Sequence, residues 1–222
     1  PVVAEFPHLQ TELLIREGVL AVTFGDYPAG RQAYERGLAL ALQQHDAARA
    51  TIIYNYLGNM LYALDHYEEA LSLYQKALEV AHELPDRVHC ARAEGGLAMT
   101  LDELGRYEEA EEHYRAAQDA AEEAGDLFSI LSVELNFSYH ASLQGRYAEA
   151  RNRASRALSL AQQLGDLHRQ ATAQHRLGRI CLETGEYEDA LAHLAQALQR
   201  RLWLGKPLFI QTTSDVIQQL VQ

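Results

Sequence analysis

One tyrosine-centred pattern returns every 40 residues along this 222-residue chain, and no other feature constrains the fold as strongly. It is clearest in the stretch Asp65-His66-Tyr67-Glu68-Glu69-Ala70. The tyrosine of this stretch has counterparts at the same interval on both sides: Tyr27, Tyr107, Tyr147 and Tyr187. A fixed interval with no insertion predicts a stack of equivalent repeats rather than a globule with one centre.

Each 40-residue period divides into two helical segments. In the second period, Tyr54, Leu57, Gly58 and Leu61 have the spacing that gathers side chains on one face of a helix. A second segment, with an apolar stripe of its own, begins at Tyr67. Applied to every period, this pattern predicts helices near residues 7–24, 27–44, 47–64, 67–84, 87–104, 107–124, 127–144, 147–164, 167–184, 187–203 and 207–221.

The joints between the segments are as regular as the segments themselves. Glycine can end a helix in the left-handed conformation without a side-chain clash, and it recurs at Gly25, Gly105, Gly145 and Gly185. Asp65 takes the same place in the second period, where we expect some strain. The alternate joints carry aspartates that we expect to cap the next helix: Asp46, Asp86, Asp126 and Asp166.

Small residues recur where the two helices of a pair must approach closely. One such row consists of Gly18, Gly58, Ala98, Ser138 and Gly178. Large side chains at other fixed positions, among them Tyr34, Tyr74 and Tyr114, would fill the space between the helices.

These residues resemble the tetratricopeptide repeat family, whose consensus has the same order of large and small positions. The second period matches most fully, through Tyr54, Leu57, Gly58, Leu61, Ala70, Tyr74 and Ala77. The period of 40 departs from the family's usual repeat of about 34 residues. The resemblance implies an all-α, right-handed α-solenoid. Five helix pairs would occupy residues 1–206, as repeats 7–46, 47–86, 87–126, 127–166 and 167–206, and a C-terminal capping helix would occupy 207–222.

Composition and charge exclude several classes of function. The formal charge of −12 disfavours direct binding of nucleic acid, because most of the surface would repel phosphates. No apolar run approaches the roughly 20 residues that a membrane span needs. Cys90 and Cys181 have neither disulfide nor metal-site spacing, so we expect buried free thiols. We therefore expect a cytoplasmic protein with no membrane partner, cofactor or metal.

Repeats of 40 residues are similar to those of the helical sensor regions of bacterial signal-transduction ATPases and maltose-activator-like transcription regulators. The tail from Leu198 to Gln222 resembles the closing segment of these regions, and the preference for arginine over lysine fits a bacterial protein. The resemblance implies the sensor or scaffold part of a larger regulator, with the ATPase or DNA-binding part outside this chain.

In this family the first helix of each pair lines a concave groove that binds a protein or peptide segment. Carried over to this sequence, the resemblance gives a set of groove candidates: Asn55, Tyr56, Asn59, Tyr62, Arg92, Gly95, Gly96, Met99, Asn136, Tyr139, His175, Arg176 and Arg179.

Three kinds of residue within this set have distinct chemistry. Asparagine is a poor helix former, so Asn55, Asn59 and Asn136 are either solvated or clamp a peptide backbone. Gly95-Gly96 either opens a pocket with Met99 as its floor or admits a neighbouring helix. The arginines could bind a carboxylate or phosphate of a partner, but we expect internal ion pairs with Asp102, Glu103 or Glu183.

The sequence predicts a binding module rather than an enzyme, since no nucleophile has a matched base and no glycine-rich phosphate loop is present. Two alternatives remain open: a structural module that self-assembles or acts as an adaptor, and a sensor of a small molecule or peptide pheromone. The first helix is apolar nearly all round, through Ile15, Val19 and Val22, so we expect either that further repeats precede Pro1 or that this end mediates homo-oligomerisation.

Overall fold

The computed structural model describes residues 7–205 and 207–221, and over these residues the chain is helical with no strand. Eleven helices occur in this part of the chain: α1 (Pro7–Thr23), α2 (Tyr27–Gln43), α3 (Ala47–Ala63), α4 (Tyr67–Ala81), α5 (Val88–Glu103), α6 (Tyr107–Ala124), α7 (Leu127–Leu143), α8 (Tyr147–Gln163), α9 (Leu167–Glu183), α10 (Tyr187–Leu204) and α11 (Pro207–Val221). The predicted all-α class is confirmed.

Consecutive helices pack as pairs: α1 on α2, α3 on α4, α5 on α6, α7 on α8, and α9 on α10. The helices fall into two compact units, one ending at Asp126 and the other beginning at Leu127. In the first unit, α3 also lies against α1 and α5; in the second, α7 lies against α9, and α11 packs on α10. Each unit therefore sets the first helices of successive repeats side by side.

The predicted helix boundaries agree with the structure to within one residue, except at the joint between α4 and α5. There α4 ends at Ala81, three residues early, and Arg87 precedes α5. Pro85 explains the difference, because the residue before a proline is disfavoured in helical conformation. The predicted cap is also displaced: the carboxylate of Asp86 accepts from the Val88 amide but does not occupy the cap position.

The other joints follow the predicted turn chemistry. Gly25, Gly105, Gly145 and Gly185 all have positive φ, and Asp65 adopts the same left-handed region with φ 61°. The aspartate caps are present before α3 and α9, where Asp46 accepts from the Arg49 amide at 3.0 Å and Asp166 from the Arg169 amide at 2.9 Å. Burial opposes ionisation of both carboxyls, but these hydrogen bonds and the neighbouring guanidinium hold each pKa below its usual value.

Large side chains fill the space left by small residues on the facing helix, as predicted. A Cβ placed on Gly58 would lie 2.7 Å from the ring of Tyr74, and one placed on Gly178 would lie 2.7 Å from Leu194. Both distances are shorter than real contacts allow. Tyr34, Tyr74 and Tyr114 are among the most deeply buried side chains. The core is thus a series of local contacts between successive helices.

Candidate functional site

The candidate residues of the first compact unit lie on two neighbouring first helices. Asn55, Tyr56, Asn59 and Tyr62 are carried by α3, and Arg92, Gly95, Gly96 and Met99 by α5. Because α3 and α5 pack against each other, the structure brings these two sets together. We refer to this surface as the α3–α5 face.

Asn55 is the most unusual polar residue of the α3–α5 face. Only 8% of its surface is exposed. The side-chain amide Nδ2 donates to the Thr51 carbonyl one turn earlier, at 2.9 Å, whereas the buried Oδ1 has no hydrogen-bond partner. A buried acceptor without a donor costs free energy, on the order of 1–3 kcal/mol. Asn55 is therefore not simply solvated, and its carboxamide oxygen lacks a donor.

The other candidates of α3 have partners within the protein. The ring of Tyr56, partly exposed, stacks on that of Tyr34 with centroids 5.6 Å apart. Asn59 is exposed, and its Oδ1 accepts from the hydroxyl of Tyr74 at 2.6 Å. Tyr62 donates to the Glu103 carboxylate at 3.0 Å. Asn59 thus has a structural role that the sequence did not predict.

The two adjacent glycines of α5 have opposite surroundings. A Cβ at position 96 would lie 2.8 Å from Cζ of Tyr74 and closer still to other atoms of its ring, so a neighbouring helix packs there. The pocket interpretation is therefore wrong for Gly96. A Cβ at position 95 would meet nothing within 4 Å. Gly95 leaves open space on the α3–α5 face, and Met99, one turn further along, is half-buried.

Arg92 and Arg179 do not form the expected internal ion pairs among the described residues. The carboxylate of Asp102 is buried and accepts from the Tyr114 hydroxyl, and that of Glu103 accepts from Tyr62. Arg92 on α5 and Arg179 on α9 are exposed and have no ion pair in the part of the chain that the structure describes. A tyrosine hydroxyl therefore donates to each of these two carboxylates.

In the second compact unit, Asn136 and Tyr139 lie on α7, and His175, Arg176 and Arg179 on α9. The guanidinium of Arg176 lies over the ring of Tyr139, 4.2 Å from its centroid. This cation–π contact joins the two neighbouring helices. Asn136 is half-buried, as are Tyr139, His175 and Arg176.

The interior neighbours of His175 include a residue that the sequence reasoning missed. Arg201 on α10 is 4% exposed and donates to the carbonyl oxygen of Phe209 at 2.8 Å and to the hydroxyl of Thr213 on α11. His175 Nδ1 lies 3.3 Å from the same hydroxyl. Burial, with the nearby Arg201, Arg176 and Arg179, lowers the pKa of His175 to about 3. Burial and the charge of Arg176 lower the pKa of Arg201 to about 10.

The described residues contain no group of three histidine, cysteine, aspartate or glutamate side chains that could hold a metal ion. Cys90 and Cys181 are buried free thiols, as predicted. Among the described helices, none has the length and hydropathy of a membrane span. The candidate residues offer amide, aromatic and guanidinium groups to a ligand.

This arrangement of paired helices with small and aromatic residues at fixed positions defines a helical repeat protein. A family model described as tetratricopeptide repeat matches residues 48–123 and 129–202, which is more than half of the chain. The chain therefore belongs to the tetratricopeptide repeat family. No curated protein matches its sequence closely enough to be reported as a relative.

Several solved structures share the fold. BtubC from P. vanneervenii is 21% identical with a TM-score of 0.71, over 92% of this chain and 86% of that one. Aspartyl phosphate phosphatase F from Bacillus subtilis is 14% identical with a TM-score of 0.73, over 94% of this chain and 55% of that one. A STAND protein with a tetratricopeptide repeat sensor from Pyrococcus horikoshii is 18% identical with a TM-score of 0.69, over 91% of this chain and 30% of that one. The likeness to a STAND sensor agrees with the predicted resemblance.

Proposed function

We propose that this chain is a non-catalytic interaction module whose α3–α5 face binds an extended segment of another protein. The observation that carries the proposal is the carboxamide oxygen of Asn55, buried and without a hydrogen donor. A backbone N–H of an extended peptide is a donor of the right kind, and it is present in every sequence. A small rotation of the side chain would present this oxygen to a ligand.

Other features of the α3–α5 face support the same ligand. The open space at Gly95, in the repeat position equivalent to Asn55, leaves room for a side chain of the segment. The partly exposed ring of Tyr56 and the unpaired guanidinium of Arg92 offer an apolar and a charged contact. Binding would therefore combine backbone recognition with limited side-chain selectivity. In the second unit, Asn136, Tyr139, His175, Arg176 and Arg179 remain proposed contacts for a ligand.

The biological setting belongs to the same proposal. The tetratricopeptide repeat sensor of the STAND protein supports a role as the sensor or scaffold part of a larger bacterial cytoplasmic regulator. Binding to the α3–α5 face would then bias a switch elsewhere in that regulator. The phosphatase named among the similar structures shares the fold at 14% identity, and nothing in the described site offers a nucleophile with a matched base.

Selection of random peptides of about 12 residues, displayed on phage, tests the proposal with the full chain as bait. We expect enriched peptides to lose roughly tenfold or more in affinity with Asn55→Ala or Gly95→Leu. Both variants should fold, since the side-chain amide of Asn55 hydrogen-bonds only to Thr51 of its own helix and a Cβ at position 95 meets nothing within 4 Å. The matched control is Asn152→Ala on the exposed side of α8, which should bind normally. Peptides that bind all variants equally would refute the proposed site.

A self-assembling module is the second candidate, favoured by the exposed apolar side chains of α1. Leu9, Leu13 and Leu20 lie within one helical stripe, and Phe24, just beyond the helix, is 81% exposed. Light scattering over a concentration series tests this function. A mass that rises with concentration, and that returns to the monomer value with Leu13→Glu and Leu20→Glu, would favour self-assembly. A sensor of a small molecule or peptide pheromone would instead give a saturable thermal shift with that ligand.

A further inference from the structure

The exposed apolar side chains of α1 occupy positions that are covered in the later repeats. Leu13 and Leu20 are exposed, whereas all of their counterparts at the 40-residue interval are buried. These counterparts are Ile53, Ala93, Val133 and Ala173 for Leu13, and Met60, Thr100, His140 and Ile180 for Leu20. We call Leu9, Leu13, Leu20 and Phe24 the α1 face.

In the later repeats a second helix contributes to this cover. In the first compact unit α2 packs on α3 and α4 packs on α5, and in the second unit α8 packs on α9. A Cβ placed on Gly37 of α2 would lie 3.3 Å from Cδ1 of Ile53, so the counterpart of Leu13 packs against a small residue of the preceding second helix. Among the described residues, no second helix precedes α1. The α1 face therefore fits a helix that presents small apolar residues.

The helix α10 carries an exposed apolar face of this kind. Its exposed residues Leu191, Ala192, Ala195, Leu202 and Trp203 recur at helical spacing, and Trp203 is 76% exposed. The corresponding residues are Glu111, Glu112, Arg115, Glu122 and Glu123 in α6, and Arg151, Asn152, Ser155, Gln162 and Gln163 in α8. Positions that are charged or polar in the two preceding second helices are thus apolar in α10. We call these five residues the α10 face, and a contiguous exposed apolar surface of this kind marks a contact with another protein.

The distribution of charge allows two copies of the chain to meet at these faces. The helix α10 carries two acidic residues and two arginines, and α1 and α2 together carry three glutamates and three arginines. By contrast, α6 alone carries seven acidic residues and one arginine, so much of the formal charge of −12 lies elsewhere. Two copies can therefore approach through α1 and α10 with little electrostatic repulsion.

We propose that the α1 face of one copy docks on the α10 face of a second copy. The leucines of α1 pack on Ala192 and Ala195 in the way that Ile53 packs on Gly37. The contact is heterologous, because two different surfaces meet, so each dimer keeps one free α1 face and one free α10 face and can add further copies. Self-assembly is the second candidate function above, and this docking rests on it and names the surface that α1 meets.

Two variants, each lacking one face, test the docking by light scattering. The double variant Leu13→Glu, Leu20→Glu places charges on the α1 face, and Trp203→Glu places one on the α10 face. All three side chains are exposed, so both proteins should fold. The natural chain should form assemblies larger than a dimer as its concentration rises, and each variant alone should remain monomeric. The matched control Gln163→Glu adds the same charge at the corresponding, exposed position of α8 and should assemble as the natural chain does.

Mixing the two variants gives the sharpest measurement, because each keeps the face that the other lacks. The pair should form a 1:1 dimer that cannot grow further. Trp203 is the single tryptophan of the chain, so the Trp203→Glu variant has none. Tryptophan emission from the mixture therefore reports only on the α10 face of the double variant. We expect a saturable blue shift of this emission as the Trp203→Glu variant is added, since the indole moves from water into an apolar contact.

Four results would overturn the docking of α1 on α10. A natural chain that stays monomeric at every concentration would exclude self-assembly and leave both faces to a different partner. Assembly that is lost in the α1 double variant but kept with Trp203→Glu would mean that α1 meets α1, and the second candidate function would then stand without the α10 face. Assembly lost with Trp203→Glu alone would mean that α10 meets α10. A mixture without a blue shift would exclude the heterologous contact.

A second α10 variant keeps the test valid if Trp203→Glu does not fold. Leu202→Glu also places a charge on the α10 face at an exposed position, and the mass of its mixture with the α1 double variant then decides. A mass that stays at the monomer value would contradict the docking. None of these variants alters Asn55 or Gly95, so peptide binding at the α3–α5 face succeeds or fails independently.

Discussion

Gly95 and Gly96 show that the surroundings of a glycine determine its role in the structure. In the sequence they form one feature, a pair of helix-disfavouring residues in α5. In the structure Gly96 faces the ring of Tyr74 and Gly95 faces open space. One glycine is required by packing, and the other leaves free a volume that a ligand could use.

Alanine substitution of the two glycines should therefore have opposite effects on stability. Gly95→Ala should raise the free energy of unfolding by about 0.5–1 kcal/mol, because alanine is the better helix former and its Cβ meets nothing within 4 Å. Gly96→Ala should lower it by about 1–3 kcal/mol through the clash with Tyr74. Urea denaturation of the two variants measures both changes, and equal effects would contradict this placement of the glycines.

At the scale of an element, α11 differs from the other first helices in how it is held. It packs on α10, and part of that contact is polar, through Arg201, Thr213 and the neutral ring of His175. The alanines that occupy the equivalent positions of the other repeats make an apolar contact instead. We therefore expect protonation of His175 on α9 to weaken the packing of α11.

Stability should fall on acidification because of His175. Its folded pKa of about 3 is below its unfolded value, so between these two values the unfolded chain binds a proton that the folded chain does not. The contribution is complete above the unfolded pKa, about 6.5, and decreases as the pH falls below it, by up to about 1.4 kcal/mol per pH unit.

The matched variant for this effect is His175→Gln, which keeps a hydrogen-bonding group near Thr213 but cannot titrate. Urea denaturation at pH 7 and pH 5 should show a smaller loss of stability for the variant than for the natural protein. An identical pH dependence would mean that His175 is not held neutral between α9 and α11. Two other half-buried histidines, His89 and His193, also have lowered pKa values and are present in both proteins.

Within each compact unit, a helix packs on helices that are one or two places away in sequence, and this locality limits how far a defect extends. We expect Gly58→Leu to lower stability by about 1–3 kcal/mol through overpacking against Tyr74. Hydrogen exchange should show lost amide protection in α3, α4 and α5, with α9 and α10 unchanged. A uniform loss over all helices would show that the repeats unfold as one body.

The sequence was sufficient for features that the repeat imposes in each copy. The helices, the positive φ at Asp65 and the packing of Tyr74 against Gly58 follow from periodicity and side-chain size. Features of one copy alone were harder to predict. The early end of α4 depends on Pro85, and Asn59 is bound by a hydroxyl from the next helix. Arg201 could have been found, because it interrupts a row of alanines at the repeat interval.

The ring of Tyr74 lies against both Gly58 of its own repeat and Gly96 of the next one. In the repeat before, Tyr34 faces Gly18 and stacks on Tyr56, a residue with a large ring where the following repeat has Gly96. Adjacent repeats are thus matched as pairs across their boundary. Chimaeric proteins made by recombining whole repeats should therefore keep Tyr74 together with Gly96. A junction placed between these two residues would need a compensating substitution in the adjoining repeat.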